Sequence, residues 1–387
     1  MMMHNDFNSR ERSRRAHANV SDSAPQGSWS APGRVNLIGE HTDYNGGLVL
    51  PFAIAERTYV SASHRDDSKI VISSADAEGH PLEWDLFDKC PTGFDWGSYV
   101  FGMAWLMRRN HDRGISLGIA SDVPVGSGLS SSAALEMAVG LALRGLWGTD
   151  HTEREIAALG TRAENEVANA PTGTMDQIAS MMGQRNMAVF LDCATEDTRM
   201  VPLALDEFGV ELAVVDTGQR HDHASGGYRE RREACERAAQ KLGVSLLGNL
   251  TIAQLDGELE RLPEDLRATV RHVVSENQRV RDTEAGLHAG DMGAVGKLLT
   301  ESHRSLAHDF MVSTPELDGV VDAALRAGAL GARMVGGGFG GSVLALGKKG
   351  FTSQWTEELQ MLPWWANSSD PAVRKVTPSP GGSADSS

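Results

Sequence analysis

The pattern of apolar and polar positions in the first half of the chain predicts short strands interleaved with helices. Runs of β-branched and alternating residues indicate the strands. Ala- and Leu-rich stretches of helical periodicity indicate the helices, and Thr152 with Glu155 forms a capping box at the start of one of them. The predicted strands are 57–63, 69–73, 116–120 and 188–192, and the predicted helices are 132–147 and 152–169.

The second half begins with an apolar strand and continues as mainly helical sequence. Gly243 is a stop signal for the first of these helices. The predicted strands are 212–216 and 343–346, and the predicted helices are 228–242, 266–287, 292–306 and 316–327. Because strands and helices do not alternate strictly, the order favours an α+β fold over a doubly wound sheet.

The two chain ends are polar and low in apolar residues. The first 27 residues contain four arginines among Ser and Asn, but their acidic residues argue against a transit peptide. We interpret residues 1–27 as a disordered tail, and we expect the Pro-, Gly- and Ser-rich stretch 368–387 to fray.

Composition narrows the function classes. With 387 residues the chain is long enough for two domains, and 41% hydrophobic and 23% charged residues are ordinary for a globular protein. The net charge of −16 disfavours a nucleic-acid or anionic-membrane surface. The three cysteines are far apart and odd in number, which fits a reducing compartment. No apolar run reaches the roughly 20 residues that span a bilayer.

A glycine- and serine-rich segment, residues 124–134, runs from a turn directly into the predicted helix 132–147. Gly126 and Gly128 allow close approach of the backbone to an anion. Ser130, Ser131 and Ser132 stand where helix N–H groups are unpaired and the helix dipole is positive. The segment is neither a Walker A motif nor a GxGxxG fingerprint. A flexible turn capped by serine is the alternative, but phosphate binding is the better interpretation.

Three further segments carry candidate chemistry. Residues 31–47 are dense in polar groups, and Glu40, His41 and Asp43 could hydrogen-bond sugar hydroxyls, although a surface loop has a similar composition. Glu164 and Asp176 supply two carboxylates of the kind that phosphoryl transfer needs, although each alone resembles a solvated surface acid. The glycine cluster 335–342 is either a tight packing turn or a loop over phosphates, and the packing interpretation is slightly favoured.

In order and spacing, these segments resemble the signature motifs of the GHMP kinases. Within that superfamily, residues 33–45 are similar to the signature of the galactokinase family, and residues 96–100, 302–303, 309–310 and 313–318 extend the similarity. The resemblance covers about residues 29–346, with a weaker echo at 376–379. It implies two α+β domains with the active site in the cleft between them. The N-terminal domain (28–195) would be ribosomal-protein-S5-like, the C-terminal domain (196–366) ferredoxin-like, and 367–387 a strand with a frayed tail.

The resemblance also implies a role for individual residues. Asp176 would act as the base and Arg34 would lie beside it. Whether Asp176 removes the proton fully or mainly orients the hydroxyl stays open. The substrate-binding residues would be Glu40, His41, Thr42, Asp43, Gly173 and Tyr228. The nucleotide-binding residues would be Gly126, Ser127, Gly128, Leu129, Ser130, Ser131, Ser132, Trp96 and Tyr99. The metal-binding pair would be Ser132 and Glu164.

The implied activity is phosphorylation of D-galactose at its C1 hydroxyl by ATP with Mg²⁺, in galactose metabolism. We expect a cytoplasmic monomer without nucleic-acid or membrane partners. The alternatives are a related kinase for another sugar, such as N-acetylgalactosamine, and a non-catalytic sensor of galactose and ATP.

Residues 348–367 depart from the family and do not predict a regular helix. His221 and His223 suggest a metal site, but a solvated loop is the favoured interpretation.

Overall fold

The computed structural model describes residues 8–109, 111–170, 172–220, 224–365 and 373–385. All of the strands and helices expected from the pattern are present, some with longer ends. The strands are β1 (Gly27–Asn36), β2 (Leu48–Val49), β3 (Pro51–His64), β4 (Lys69–Ser74), β5 (Leu82–Asp85), β6 (Ile115–Ser121), β7 (Met187–Asp192), β8 (Thr198–Pro202), β9 (Val210–Arg220), β10 (Gly331–Val335), β11 (Gly340–Lys348), β12 (Val373–Val376) and β13 (Ser383–Ala384). The helices are α1 (Ser9–Ala18), α2 (Gly97–Met107), α3 (Ser131–Trp147), α4 (Glu153–Glu166), α5 (Met175–Met182), α6 (Ala224–Leu242), α7 (Leu255–Glu260), α8 (Glu264–Ala289), α9 (Met292–His308), α10 (Pro315–Arg326) and α11 (Phe351–Gln360).

The N-terminal half is built on a six-stranded sheet in the order β13-β1-β3-β6-β4-β5. Its ladders are antiparallel except for β4 beside β6. The apolar residues of α2, α3, α4 and α5 form one core with this sheet. The sequence supports α3 and α4 locally, since α3 ends at Gly148 in the left-handed region and α4 begins with the predicted Thr152 capping box.

The C-terminal half is built on a four-stranded antiparallel sheet in the order β10-β11-β9-β12. Helices α6, α8 and α10 contribute to its core. Trp355 of α11 is fully buried there, so the region expected to be irregular forms a packed helix. Phe351, Trp355 and Leu359 recur every four residues and form its buried face, so the sequence did contain a helical signal there.

A third apolar cluster joins the two halves. It combines Val35 and Leu37 of the sugar segment (residues 31–47) with Val280 of α8 and Leu344 of β11. The β7–β8 hairpin also crosses the expected domain boundary at residue 195. The two halves therefore share buried apolar surface, which favours one fixed geometry for any site between them. The predicted boundaries themselves stay predictions.

The expectation of a disordered tail over residues 1–27 is wrong for the described part of that segment. Helix α1 lies across the N-terminal sheet, where the Ser13 hydroxyl bonds that of Ser61 and the His17 Nε2 bonds the Ser63 hydroxyl, both at 2.8 Å. The contact surface is made of small polar residues, so the helix shows no apolar stripe. Hydrophobic patterning therefore cannot detect it.

The expectation that residues 368–387 fray is wrong for residues 373–385. Strand β12 pairs with β9 in the C-terminal sheet, and β13 pairs with β1 in the N-terminal sheet. Arg57 also donates to the carbonyls of Pro380 and Gly381 at 2.8 and 2.9 Å. The Pro/Gly/Ser composition of this segment reflects an extended backbone held by other elements. Among the described residues, no helix is long and apolar enough to cross a membrane.

Gly118 of β6 offers a direct test of the docking of α1. A Cβ there would lie 2.0 Å from the His17 backbone nitrogen and 2.3 Å from the Ser13 carbonyl. We expect Gly118→Ala to lower the free energy of unfolding by about 1–3 kcal/mol, because overpacking displaces the helix. Trypsin should also cut faster after the exposed Arg14 and Arg15. Thermal unfolding and timed proteolysis measure the two effects.

The matched control is Gly257→Ala in α7, where a Cβ meets no atom within 4 Å. This variant should keep the wild-type cleavage rate and a melting temperature that is unchanged or slightly higher. A Gly118→Ala protein that resists trypsin as the wild type does would show that α1 is not docked on β6.

Candidate active site

Two cavities meet in the cleft between the halves. The smaller, of about 130 Å³, is lined by residues of the sugar segment together with Gly173 and Tyr228. The larger, of about 580 Å³, is lined by residues of the glycine- and serine-rich segment 124–134, the phosphate loop, together with Trp96 and Tyr99. It has the size of a small-molecule site. The residues that line both cavities are Arg34, Asp176, Gly336 and Gly337.

Arg34 and Asp176 form a bidentate ion pair at this junction. The Arg34 Nε and Nη2 atoms each lie 2.7 Å from an Asp176 carboxylate oxygen, and Nη1 donates to the Gly128 carbonyl at 2.6 Å. Burial opposes the charge on Arg34, but Asp176 and Glu40 keep its pKa above the usual value. Asp176 also accepts a hydrogen bond from the Ser130 hydroxyl. The pair thus links strand β1, the phosphate loop and helix α5.

Local sequence explains why these groups meet. Strand β1 is irregular between Pro32 and Arg34, and a Cβ on Gly33 would lie 2.7 Å from the Leu129 carbonyl, so the strand runs directly against the phosphate loop. Asp176 stands in the first turn of α5, where the helix N-terminus favours a negative charge.

The phosphate loop has the backbone that the glycines predict. Gly126, Gly128 and Ser130 have φ values of 73°, 77° and 57°. Helix α3 begins at Ser131, so the unpaired N–H groups of its first turn lie at the larger cavity. Ser130 thus adopts a positive φ, a conformation that non-glycine residues seldom adopt.

Two predicted nucleotide-binding residues do not line the cavity. The Ser127 hydroxyl is buried and donates to the Pro124 carbonyl at 2.8 Å, while Leu129 belongs to the apolar cluster that joins the halves. Both side chains hold the loop from behind. Trp96 and Tyr99, at the start of α2, do line the cavity and offer it an aromatic surface.

Ser132 and Glu164 are adjacent, as a shared metal requires. The Ser132 hydroxyl lies 2.7 Å from Glu164 Oε1. Burial raises the pKa of Glu164, so its ionised form needs a cation nearby. Within the described ranges, no three His, Cys, Asp or Glu side chains cluster as a full metal site. A hydroxyl and one carboxylate fit Mg²⁺, which keeps waters and binds substrate phosphates.

Besides Arg34, the sugar segment presents the polar side chains of Glu40, His41 and Asp43 to the smaller cavity. Burial lowers the pKa of His41 to about 3, so its imidazole is neutral. Its Nδ1 bonds the Tyr44 hydroxyl at 2.9 Å, and its buried Nε2 has no hydrogen-bond partner among the described residues. Burial and then the nearby Asp176 raise the pKa of Asp43 to about 6. These groups are poised to exchange hydrogen bonds with a polyol.

Gly173 and Thr42 act in different ways at this cavity. A Cβ on Gly173 would lie 2.2 Å from Asp43 Oδ2, so only glycine leaves this carboxylate in place. The Thr42 hydroxyl bonds the Gly39 and Leu48 carbonyls at 2.8 and 2.7 Å. Thr42 therefore closes the loop and does not line the cavity.

The C-terminal half holds the sugar segment through residues that sequence reasoning missed. On α8, His272 Nε2 bonds the Glu40 carbonyl at 3.1 Å, Glu276 accepts from the Gly39 nitrogen at 3.1 Å, and Asn277 accepts from the Leu48 nitrogen at 2.8 Å. The helical spacing of these residues is a usable signal, but their partners lie more than 200 positions away. No local pattern identifies such partners.

Arg333 and the second glycine cluster reach the same segment from β10. Arg333 is fully buried and bonds the Asn36 carbonyl at 3.0 Å. The Gly336 nitrogen donates to Glu40 Oε1 at 2.9 Å, and a Cβ on Gly336 would lie 3.3 Å from the Gly128 Cα. The favoured packing interpretation of this cluster is confirmed, and the cluster also lines both cavities. His221 and His223 lie outside the described residues.

Comparison with known proteins gives a consistent result. Residues 15–64 match the galactokinase galactose-binding signature, 98–184 match the GHMP kinases N-terminal domain, and 283–353 match the GHMP kinases C-terminal region. The galactokinase of Streptomyces coelicolor is 45% identical over 363 residues, or 92% of this chain and 94% of that protein. The galactokinase of Mycobacterium tuberculosis is 42% identical over 360 residues, or 92% and 98%.

Solved structures agree. The galactokinase of Lactococcus lactis, complexed with galactose, superposes with a TM-score of 0.86 at 32% identity, over 92% of this chain and 94% of that chain. The mevalonate kinase of Methanococcus jannaschii superposes with a TM-score of 0.64 at 20% identity, over 92% and 99%, and so shows a shared fold. The cleft geometry, the three matched regions and this extent of identity lead to one conclusion: the chain belongs to the galactokinase family of the GHMP kinases.

Proposed function

We propose that this protein transfers the γ-phosphoryl group of ATP to the C1 hydroxyl of D-galactose, with Mg²⁺, giving galactose 1-phosphate and ADP. The observation that carries the proposal is the position of Asp176, which lines both the sugar-sized and the nucleotide-sized cavity. A group at that junction can contact the attacking hydroxyl while the phosphates lie on the start of α3.

The smaller cavity accounts for hexose binding. The carboxylates of Glu40 and Asp43 accept hydrogen bonds from sugar hydroxyls, and the unpartnered His41 Nε2 can donate or accept according to its tautomer. Glu40 is already oriented by Gly336 and Asn36. Because each polar group left unpaired in a dry site costs affinity, this arrangement selects against sugars with a hydroxyl in the wrong orientation.

The ion pair explains how Asp176 meets the attacking hydroxyl. The Arg34 guanidinium donates to both carboxylate oxygens, so the side chain is fixed in one orientation. A fixed acceptor orients the C1 hydroxyl toward the phosphate and can take up its proton as the bond to phosphorus forms. Arg34 then offsets part of the charge that builds on the transferred group.

The phosphate loop supplies the remaining stabilisation. Main-chain N–H groups at the start of α3 bind phosphate oxygens without adding side-chain charge. Ser132 and Glu164 would hold Mg²⁺, whose charge neutralises the phosphates. Phosphoryl transfer relies mainly on positioning and electrostatics, so a rigid cleft of this kind is sufficient. We further propose that the protein acts as a cytoplasmic monomer, in keeping with its three free cysteines.

A sugar panel tests the assignment most directly. With ATP and Mg²⁺ in a coupled ADP-release assay, we expect kcat/KM for galactose to exceed that for glucose and N-acetylgalactosamine by at least about 10²-fold, the discrimination that lost polar contacts produce. A higher kcat/KM for another sugar would reassign the substrate. Binding of galactose and ATP without turnover would indicate a sensor.

Asp176→Asn tests the catalytic assignment while keeping the shape of the side chain. We expect kcat to fall by about 10²–10⁴-fold, because proton acceptance is lost, with a smaller change in KM for galactose. Asp265→Asn is the matched control, since Asp265 also stands in the first turn of a helix but is exposed. Steady-state kinetics and thermal unfolding are measured for both. An Asp176→Asn enzyme with near-wild-type kcat would remove Asp176 from the mechanism.

The raised pKa of Asp43 predicts a pH dependence of sugar affinity. Its pKa of about 6 means that the carboxylate gains a proton as pH falls through that value and loses acceptor capacity. We expect kcat/KM for galactose to fall below pH 6, approaching about tenfold per pH unit if only the ionised form binds. His41, with a pKa of about 3, does not titrate in this range.

Asp43→Asn is the control for this pH profile. Its kcat/KM should be lower at neutral pH, but the decline near pH 6 should disappear because the amide does not titrate. If the decline persists unchanged in Asp43→Asn, another group is responsible for it.

A further inference from the structure

A buried polar network extends from Glu164 of the metal-binding pair into the core, and its two other members are not used by the mechanism described above. It consists of Glu136 on α3, Gln177 on α5 and Glu164 on α4. Glu136 and Gln177 are fully buried, and neither lines the cavities. Because unpaired buried polar groups are costly, a core position occupied by a carboxyl group and an amide calls for a physical reason.

Gln177 bridges the two carboxyl groups with one amide nitrogen. Its Nε2 donates to Glu136 Oε2 at 3.0 Å and to Glu164 Oε2 at 2.8 Å, which uses both N–H bonds. Its Oε1 accepts from the Thr161 hydroxyl at 3.3 Å. This pattern fixes the orientation of the amide, since the reverse orientation would face its oxygen toward two carboxyl groups.

Glu164 is thereby held on both of its oxygens. Oε1 accepts from Ser132 at 2.7 Å, while Oε2 accepts from Thr172 at 2.6 Å and from Gln177. The Oε1 partner, Ser132, lines the nucleotide cavity, and Gln177, which bonds Oε2, lies in the core. Partners of this kind orient a carboxylate for a metal that it binds.

Glu136 completes the network at the end away from the cavity. It lies four positions after Ser132 on α3 and therefore on the same helix face. Its Oε1 is buried and has no hydrogen-bond partner within the described part of the chain. Gly160 of α4 packs closely against this region, since a Cβ there would lie 2.4 Å from Met137 Cε, 3.1 Å from Gln177 Cγ and 3.3 Å from Glu136 Oε2. Among the described residues, the side-chain hydrogen bond that Glu136 makes is thus the one to Gln177.

We propose that Gln177 and Glu136 are positioning residues for Mg²⁺-nucleotide binding, with Gln177 orienting Glu164 and Glu136 acting solely through Gln177. This inference rests on the proposed kinase function, because Glu164 matters in this way only if it binds the metal. It assigns neither residue contact with substrate. Burial and the proximity of Glu164 also raise the pKa of Glu136 well above its usual value, which is consistent with a neutral group in this position.

The first test compares Glu136→Met and Gln177→Met, which keep side-chain volume but remove the polar atoms. Each variant should raise the Mg²⁺ concentration for half-maximal activity by about 10–100-fold, the range typical for loss of a residue that orients a metal ligand. KM for galactose should change less than threefold, because the sugar cavity is untouched. Mn²⁺ binding in the presence of ADP, followed by the EPR signal of free Mn²⁺, gives a second readout that does not need turnover.

The conservative variant Glu136→Gln and the double variant sharpen the test. The Glu136→Gln amide can accept from Gln177 with its oxygen, so Mn²⁺ binding should recover to within about threefold of the wild type. If Glu136 acts only through Gln177, the double variant Glu136→Met/Gln177→Met should bind Mn²⁺ no more weakly than Gln177→Met alone. If the double variant bound Mn²⁺ more weakly than Gln177→Met, by the product of the two single effects, Glu136 would not act solely through Gln177 and the inference would be overturned.

Thr283→Val is the control for a general loss of buried polarity. Thr283 on α8 is fully buried, and its hydroxyl has no partner among the described residues. This variant should keep the wild-type Mg²⁺ and Mn²⁺ dependence. Lower melting temperatures of Glu136→Met and Gln177→Met with an unchanged metal requirement would overturn the inference and leave a structural role. A wild-type protein without kinase activity would instead contradict the proposed function, so the two failures are distinguishable.

Discussion

The bidentate pair between Arg34 and Asp176 is the interaction on which the site depends. Arg34 is almost fully buried, and without its partner a bare charge would remain in the cleft, at a cost of several kcal/mol. The pair also sets geometry, because Arg34 bonds the Gly128 carbonyl and Asp176 accepts from Ser130. Strand β1, the phosphate loop and α5 are thereby fixed to one another at the point where the two cavities meet. The same contact that orients the acceptor therefore also shapes the phosphate-binding backbone.

Electrostatic balance in the cleft follows from this arrangement. The chain carries a net charge of −16, and Asp43, Glu164 and Asp176 lie close together near the phosphate site. Burial and the nearby Asp176 raise the pKa values of Asp43 and Glu164, so their ionised forms are held in the cleft at some cost in free energy. A divalent cation offsets that cost and binds phosphates at the same time. The acidity of the site is thus a physical reason for the proposed dependence of nucleotide binding on a metal, which is the property that the buried network behind Glu164 is inferred to tune.

Much of the fold and the central site residues could be predicted from sequence because their signals are local. The six strands that the pattern predicted, the α3 helix, the Thr152 capping box and the Gly126–Ser132 backbone all follow from neighbouring residues. Helix α1 could not be predicted, since its contacts are small and polar and its partners lie across the sheet. Glu136 and Gln177 escaped for a related reason. A glutamate within an Ala-rich helix looks like a solvent-facing residue, and only the packing of α3 against α4 and α5 shows that it is buried.

The sugar segment shows why the site needs both halves of the chain. Its sequence carries the substrate-binding groups, yet its backbone is held by three side chains of α8 and its Glu40 carboxylate by the Gly336 nitrogen. His41 has a positive φ and a buried imidazole, a conformation that an isolated loop would not keep. The C-terminal half therefore fixes the backbone of the sugar segment, and the N-terminal half carries most of the polar side chains that line the smaller cavity. Because the apolar cluster joining the halves is continuous, the cleft is a packed interface whose walls cannot separate without losing the sugar site itself.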